Sequence, residues 1–214
     1  MNNFKYWRNF NPETLLNKTL DLAIYSYKQI LNDKQYFINE MDPDRENIYR
    51  SDLVRAMSHL RFKFGLGCVV LNKEAEEDEG EGKGRLDIKV QYSRLHEFDL
   101  NNEFYHTIEC KRFGKIPDYR DYYENGILEF IRMKYSPNTN HAGMICFVEK
   151  IPENLHNMNE IIEKLNIYLE NKNVNTLKLC NHEFNYMFES EHKRLNSEKI
   201  LLTHLFFDYS GIVT

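Results

Sequence analysis

Arg85-Leu86-Asp87-Ile88-Lys89-Val90-Gln91-Tyr92 and Phe104-Tyr105-His106-Thr107-Ile108-Glu109-Cys110-Lys111-Arg112 set the fold of this 214-residue chain. In the first stretch Leu86, Ile88 and Val90 alternate with Asp87, Lys89 and Gln91, the period-2 pattern of a strand with one buried face. In the second, Ile108 and Cys110 take one phase while Glu109 and Lys111 take the other, so the acid and the amine project from the same side. A third run, Phe64–Leu71, is apolar and contains glycine. Loops at Asn72–Gly84 and Ser93–Glu103 join the three, which predicts an antiparallel meander.

Upstream, Leu15, Leu16, Leu20, Ile24, Tyr27, Ile30 and Leu31 have helical spacing, predicting a long amphipathic helix from Asn11 to about Phe37. Asp42-Pro43 has the form of an N-cap with proline at the first helical position. The helix it would open runs to about Arg61, with Tyr49, Leu53, Met57 and Leu60 on one face. Glu46 lies seven and eleven residues before Leu53 and Met57, close to two and three turns, which points it toward the core side. Downstream, a helix is expected over Tyr119–Tyr135 with Tyr123, Ile127, Phe130 and Ile131 inward, then a strand at Ala142–Glu149 apolar on both faces. Pro152–Glu170 reads as a helix, and Phe184–Arg194 and Ile200–Asp208 as two strands turning near Asn196. These elements predict an α/β (mixed α+β) fold in one domain over residues 1–214, a central mixed sheet flanked by helices, with an extra N-terminal helix and a C-terminal hairpin.

Composition excludes several classes. Hydrophobic residues make up 42% of the chain, enough for a core and too many for a disordered protein. No apolar run reaches the ~18 residues of a membrane helix, and the first residues carry no secretory h-region, so a cytoplasmic protein without membrane contact is expected. Cys68, Cys110, Cys146 and Cys180 form no C-x-x-C pair, which leaves zinc ribbons and redox dithiols unsupported. There is no H-E-x-x-H zinc motif and no P-loop. Net charge is −5, and Lys73–Gly84 alone holds two bases against six acids, a balance of −4 that leaves −1 for the rest. That acidic run reads as a solvated loop.

The strand pair would set Asp87 beside Glu109, with Lys111 next to both. Close carboxylates repel, and protonation or a hard cation relieves them. Mg²⁺ suits a site of one or two carboxylates completed by water and phosphate. Gly84-Arg85-Leu86-Asp87-Ile88-Lys89-Val90, followed by Thr107-Ile108-Glu109-Cys110-Lys111-Arg112 and preceded by a helix bearing Glu46, resembles the PD-(D/E)xK nuclease superfamily, whose fold is restriction-endonuclease-like. The resemblance covers about residues 42–150 and leaves 1–41 and 151–214 unexplained. Leu86 stands where the family's proline would be. Acid-x-Lys occurs five times, at Glu81, Asp87, Glu109, Glu170 and Glu191, and only Glu109 combines a strand with a strand-borne aspartate some twenty residues earlier. Asp87-Ile88-Lys89 is the alternative triplet, with no acid on an apolar strand before it.

The resemblance implies a metal-dependent nuclease acting on phosphodiesters, with DNA the expected polymer and restriction or anti-phage defence the setting. Asp87 and Glu109 would bind Mg²⁺ (Mn²⁺ as substitute), with the carbonyl of Cys110 as a further ligand. Lys111 would orient or help deprotonate water and offset phosphate charge. Glu46 would bind metal directly or through water; the other account of Glu46 is a first-turn acid favoured by the helix dipole. Arg112, Lys115, Arg120 and Lys134 border the implied cleft and could meet phosphates, or serve only solubility. Tyr122 and Tyr123 could stack near the site, Tyr123 reading rather as core. Ser190, His192 and Arg194 share one face of a strand and read as a polar surface for phosphate or a neighbouring metal. His204, within Leu-Leu-Thr-His-Leu-Phe-Phe, reads as a buried, hydrogen-bonded histidine. Two other readings stand: a catalytically inactive nuclease-fold subunit that binds nucleic acid or assembles a larger defence complex, and a helical interaction or immunity-type protein. The low charge suggests action as a homodimer or with a partner protein.

Overall fold

The computed structural model describes residues 12–33, 36–76, 85–92, 105–136 and 138–213. In chain order the elements are α1 (Pro12–Asn32), α2 (Arg45–Leu60), β1 (Val69–Glu76), β2 (Arg85–Tyr92), β3 (Tyr105–Phe113), α3 (Tyr119–Tyr122), a π turn (Tyr123–Ile127), α4 (Leu128–Ile131), β4 (His141–Val148), α5 (Met158–Asn171), β5 (Lys178–Leu179), β6 (Met187–Lys193) and β7 (Lys199–Asp208). The strands form one sheet in the order β1-β2-β3-β4-β7-β6-β5. β3, β4 and β7 run parallel at its centre, and the outer pairs are antiparallel. The α/β expectation of a mixed sheet flanked by helices is therefore met. Among the described residues no helix is long and apolar enough to cross a membrane.

Strand alternation divides the core into two layers. Ile88, Val90, Ile108, Cys110, Ile145, Phe147, Leu205 and Phe207 pack with α1 and α2 on one side. Phe113, Met144, Cys146, Leu202 and Phe206 pack with the π turn, α4 and α5 on the other. β4 has no solvent face, as its continuous apolar run demands. Helix α1 is tied to the sheet by polar contacts as well, the Tyr27 hydroxyl donating to the Asp208 carbonyl at 2.9 Å and accepting from the Asp208 amide at 3.0 Å.

The first strand is displaced from its expected place. Residues 61–64 form a 3₁₀ turn closed by Gly65 in the left-handed region (φ 69°), and β1 starts only at Val69. Polar Asn72 and Lys73 join it because the ladder to β2 (Asn72↔Lys89, Lys73↔Ile88) satisfies their backbone groups, whatever their side chains prefer. Residues 77–84 of the acidic run and the loop at 93–104 lie outside the described residues. Helix α2 opens at Arg45 rather than at Pro43: the Asp42 carboxylate accepts from the amide of Asp44 and makes a turn instead of a cap. The expected helix over 119–135 contains a π turn, whose added residue puts Tyr122 rather than Tyr123 on the face of buried Ile127. Tyr122 is consequently the buried aromatic and Tyr123 only partly buried, the reverse of the helical-wheel expectation.

Gly143 on β4 lies beneath Leu20 of α1. A Cβ there would meet Ile108 Cγ1 at 3.1 Å and Leu20 Cδ2 at 3.2 Å. Gly143→Val places two further methyls into a filled layer, and we expect it to lower unfolding free energy by about 1–3 kcal/mol in urea denaturation, despite valine's better strand propensity.

Candidate functional site

The β2–β3 ladder runs from Gln91↔Tyr105 to Ile88↔Ile108. Positions 87 and 109 come next on the two strands, one step past the last pair. Ile88, Ile108 and Cys110 belong to the layer under α1 and α2, so alternation turns Asp87, Glu109 and Lys111 to the opposite side of the sheet. The two acids and the amine thus share one face at the point where the strands cease to pair.

Each carboxylate has its own cation. Lys111 Nζ donates to Glu109 Oε1 at 2.7 Å, and both residues are buried. Asp87 Oδ1 accepts from Arg50 Nη1, and Asp87 Oδ2 accepts from the amide of Cys110 at 2.8 Å. Arg50, one turn beyond Glu46 on α2, is itself buried and also donates to Asn47 Oδ1. The second oxygen of Glu109, Oε2, is buried and has no hydrogen-bond partner among the described residues. Burial pushes the Glu109 carboxyl up to about 7, against the pull of Lys111. For Lys111 burial acts to lower the ammonium, but the adjacent Glu109, with Glu46 and Asp121 beyond it, outweighs that and holds it charged. Glu46 is raised chiefly by burial, with Lys111 and Arg50 opposing. These mutual influences put Glu46, Arg50, Glu109, Lys111 and Asp121 in one electrostatic neighbourhood.

The surrounding fold fixes the positions. Glu149, at the end of β4, accepts from Arg45 Nε at 2.6 Å, from the Tyr49 hydroxyl at 3.0 Å and from Arg112 Nη1 at 3.1 Å. It clamps the first turns of α2 to the strand carrying Glu109 and Lys111. On the far side Gly126, in the π turn, leaves room for Met144: a Cβ there would meet Met144 Cε at 2.6 Å, with Lys111 Cε in ordinary contact at 3.6 Å.

Of the implied phosphate contacts, Arg112 is engaged by Glu149, exposed Arg120 pairs with Glu124 at 2.8 Å, and Lys134 pairs with Glu129. Lys115 is exposed and lines a cavity of about 330 Å³ with Tyr119, Asn154 and Lys164. His192 and Arg194, with Ser190, are buried rather than forming the surface stripe expected from their polarity. Ser190 Oγ lies 2.7 Å from Nε2 of both His192 and His204, the Tyr122 hydroxyl lies 2.8 Å from His204 Nδ1, and Arg194 donates to the Ser136 carbonyl at 2.8 Å. Their alternation faces β7 and the π-turn side, where polar side chains satisfy one another instead of water. His204 is buried and hydrogen-bonded as the sequence suggests.

Arg50, Glu149 and Asp121 escaped sequence reading. Arg50 stands four residues after Glu46, a same-face spacing that could have revealed it. Glu149 closes an apolar strand as its single acid, a weaker signal. Among the described residues no group of three or more His, Cys, Asp or Glu is gathered as a metal site. Glu109 nevertheless fits a cation ligand, having one oxygen oriented by Lys111 and the other orphaned. Asp87 fits only if Arg50 moves. No family model, curated protein or solved structure matches the chain, so the site's own geometry carries the functional argument.

Burial lowers His204 to about 3 and His192 to about 4, from an ordinary value of 6.5. Both stay neutral in the fold while their unfolded counterparts take up protons below pH 6.5, so the unfolded chain binds more protons and stability falls as pH drops from about 6.5 toward 4. We expect His192→Gln to reduce the pH slope of unfolding free energy over that window by about 1 kcal/mol per pH unit relative to wild type; parallel slopes in urea titrations would refute this.

Proposed function

We propose that the chain is a metal-dependent nuclease that hydrolyses phosphodiester bonds of nucleic acid, DNA first among candidates, on a PD-(D/E)xK-like site. The observation that carries this reading is the buried, hydrogen-bonded Glu109–Lys111 pair with an orphaned Glu109 oxygen, on the same face as Asp87. A buried ion pair is costly relative to apolar side chains of similar volume, and crowded charges with a raised carboxyl in one place mark a working site more often than a structural one. Glu109 Oε2 and Asp87 would hold a divalent cation, with Glu46 at the edge and the Cys110 carbonyl as a further candidate. When bound, Mg²⁺ or Mn²⁺ supplies Lewis-acid activation of water and screening of the phosphate. Lys111, kept charged by Glu109, donates to a phosphate oxygen or orients the attacking water. Four free cysteines agree with a reducing, cytoplasmic setting. Service in restriction or anti-phage defence, as a homodimer or with a partner protein, belongs to the same proposal by analogy of fold.

One observation favours a second reading. Asp87 is already engaged at both oxygens by Arg50 and the Cys110 amide, the state expected of a nuclease-fold subunit that binds nucleic acid without cutting it.

Purified chain with Mg²⁺ or Mn²⁺ should degrade or nick DNA in a gel assay, with RNA as the parallel substrate. Glu109→Gln and Lys111→Met, each close in volume to the original, should lower the rate at least about 100-fold while leaving circular dichroism unchanged. Binding of DNA with no turnover in either metal establishes the second reading; undiminished cleavage in both variants removes the site assignment.

A further inference from the structure

The guanidinium of Arg50 occupies a place that a bound cation would contest. It is 5% exposed, pairs with Asp87 Oδ1, and contributes to the electrostatics of both Glu46 and Glu109. Removing one partner of a buried ion pair strands the other charge, so Asp87 left by Arg50 needs another cation. Asp87 Oδ1 cannot serve the guanidinium and a metal with the same lone pairs. Asp87 Oδ2 stays anchored to the Cys110 amide in either state, so the carboxylate itself need not move.

We propose that Arg50 is an internal counter-cation that competes with the divalent metal for Asp87, so that metal loading requires the guanidinium to swing off the carboxylate. This inference rests on the proposed metal-dependent function and deepens it by naming what regulates occupancy of the site. Arg50 is a gating residue. On departure it keeps an acceptor in Asn47 Oδ1, to which it already donates through Nη2, and it would be delivered toward incoming phosphate, an anion that suits a planar guanidinium.

The test is Mn²⁺ binding, followed by the electron paramagnetic resonance signal of the free ion, with the full chain and no nucleic acid present. Arg50→Gln should bind Mn²⁺ at least about tenfold more tightly than wild type, the scale of one close charge pair removed. Arg50→Lys, which retains charge but loses the planar two-nitrogen fork, should also bind more tightly and guards against misfolding of the glutamine variant. Asp87→Asn should weaken binding in both backgrounds. Mn²⁺ should raise the melting temperature of the Arg50 variants more than that of wild type. Wild-type binding with equal or weaker affinity in both Arg50 variants overturns the gate and leaves the nuclease reading standing. Absence of Mn²⁺ binding in wild type and every variant overturns the nuclease reading and the gate together.

Discussion

The Glu109–Lys111 pair is the constraint around which this end of the molecule is arranged. Two residues apart on a central strand, they must share a face, and that face is covered by helix rather than water. Burial penalises both charges: Glu109 holds the Lys111 ammonium charged, while the pull of Lys111 only partly offsets burial at Glu109, whose carboxyl is pushed up to about 7. The fold accommodates them at a specific point, beside the end of the β2–β3 ladder, where the strand partner no longer shields the sheet. A π turn covers the lysine stem, and Gly126 in it makes room for Met144 alongside. Apolar side chains at both positions would pack without any of these devices, so the sequence retains charge where stability alone would not ask for it.

Around that pair, charge is organised in linked sets rather than as one acidic cup. Glu149 gathers Arg45, Tyr49 and Arg112, and Arg45 and Arg112 are the immediate neighbours of Glu46 and Lys111 in the chain. The clamp therefore transmits the position of β4 to both sides of the site, and fixes how far the first turn of α2 stands from β3. Arg50 joins α2 to Asp87 on β2 in the same way. Helix α2 and strands β2, β3 and β4 are thus held to one another by charge-assisted hydrogen bonds to two largely buried carboxylates, which are strong and geometrically demanding.

A second polar network lies on the same side of the sheet and has a different role. Tyr122, His204, Ser190 and His192 pass hydrogen bonds among themselves inside an apolar layer, and burial keeps both imidazoles neutral. Every hydrogen-bonding atom so satisfied is one that would otherwise weaken the packing of β6 and β7 against α3.

Much of this was readable from residue order. Period-2 alternation located β2 and β3, the apolar run at 142–149 marked a strand without a solvent face, and the spacing of Leu15 to Ile30 marked α1. The shared face of Glu109 and Lys111 came from strand geometry alone. Periodicity failed where local preference yielded to pairing: β1 took polar residues because β2 offered hydrogen bonds, and the π turn exchanged Tyr122 for Tyr123 as the inward ring. The stripe of Ser190, His192 and Arg194 looked wet because polarity was taken for exposure, whereas partners on β7 and in the 135–136 segment allowed it to be buried. Residue order thus assigns most side chains to a face of their element, since that assignment depends only on backbone geometry. Which polar groups meet, Arg50 with Asp87 and Glu149 with Arg45, Tyr49 and Arg112, emerges only once the chain is folded, because such pairing depends on distances across elements up to 104 residues apart that no local period encodes.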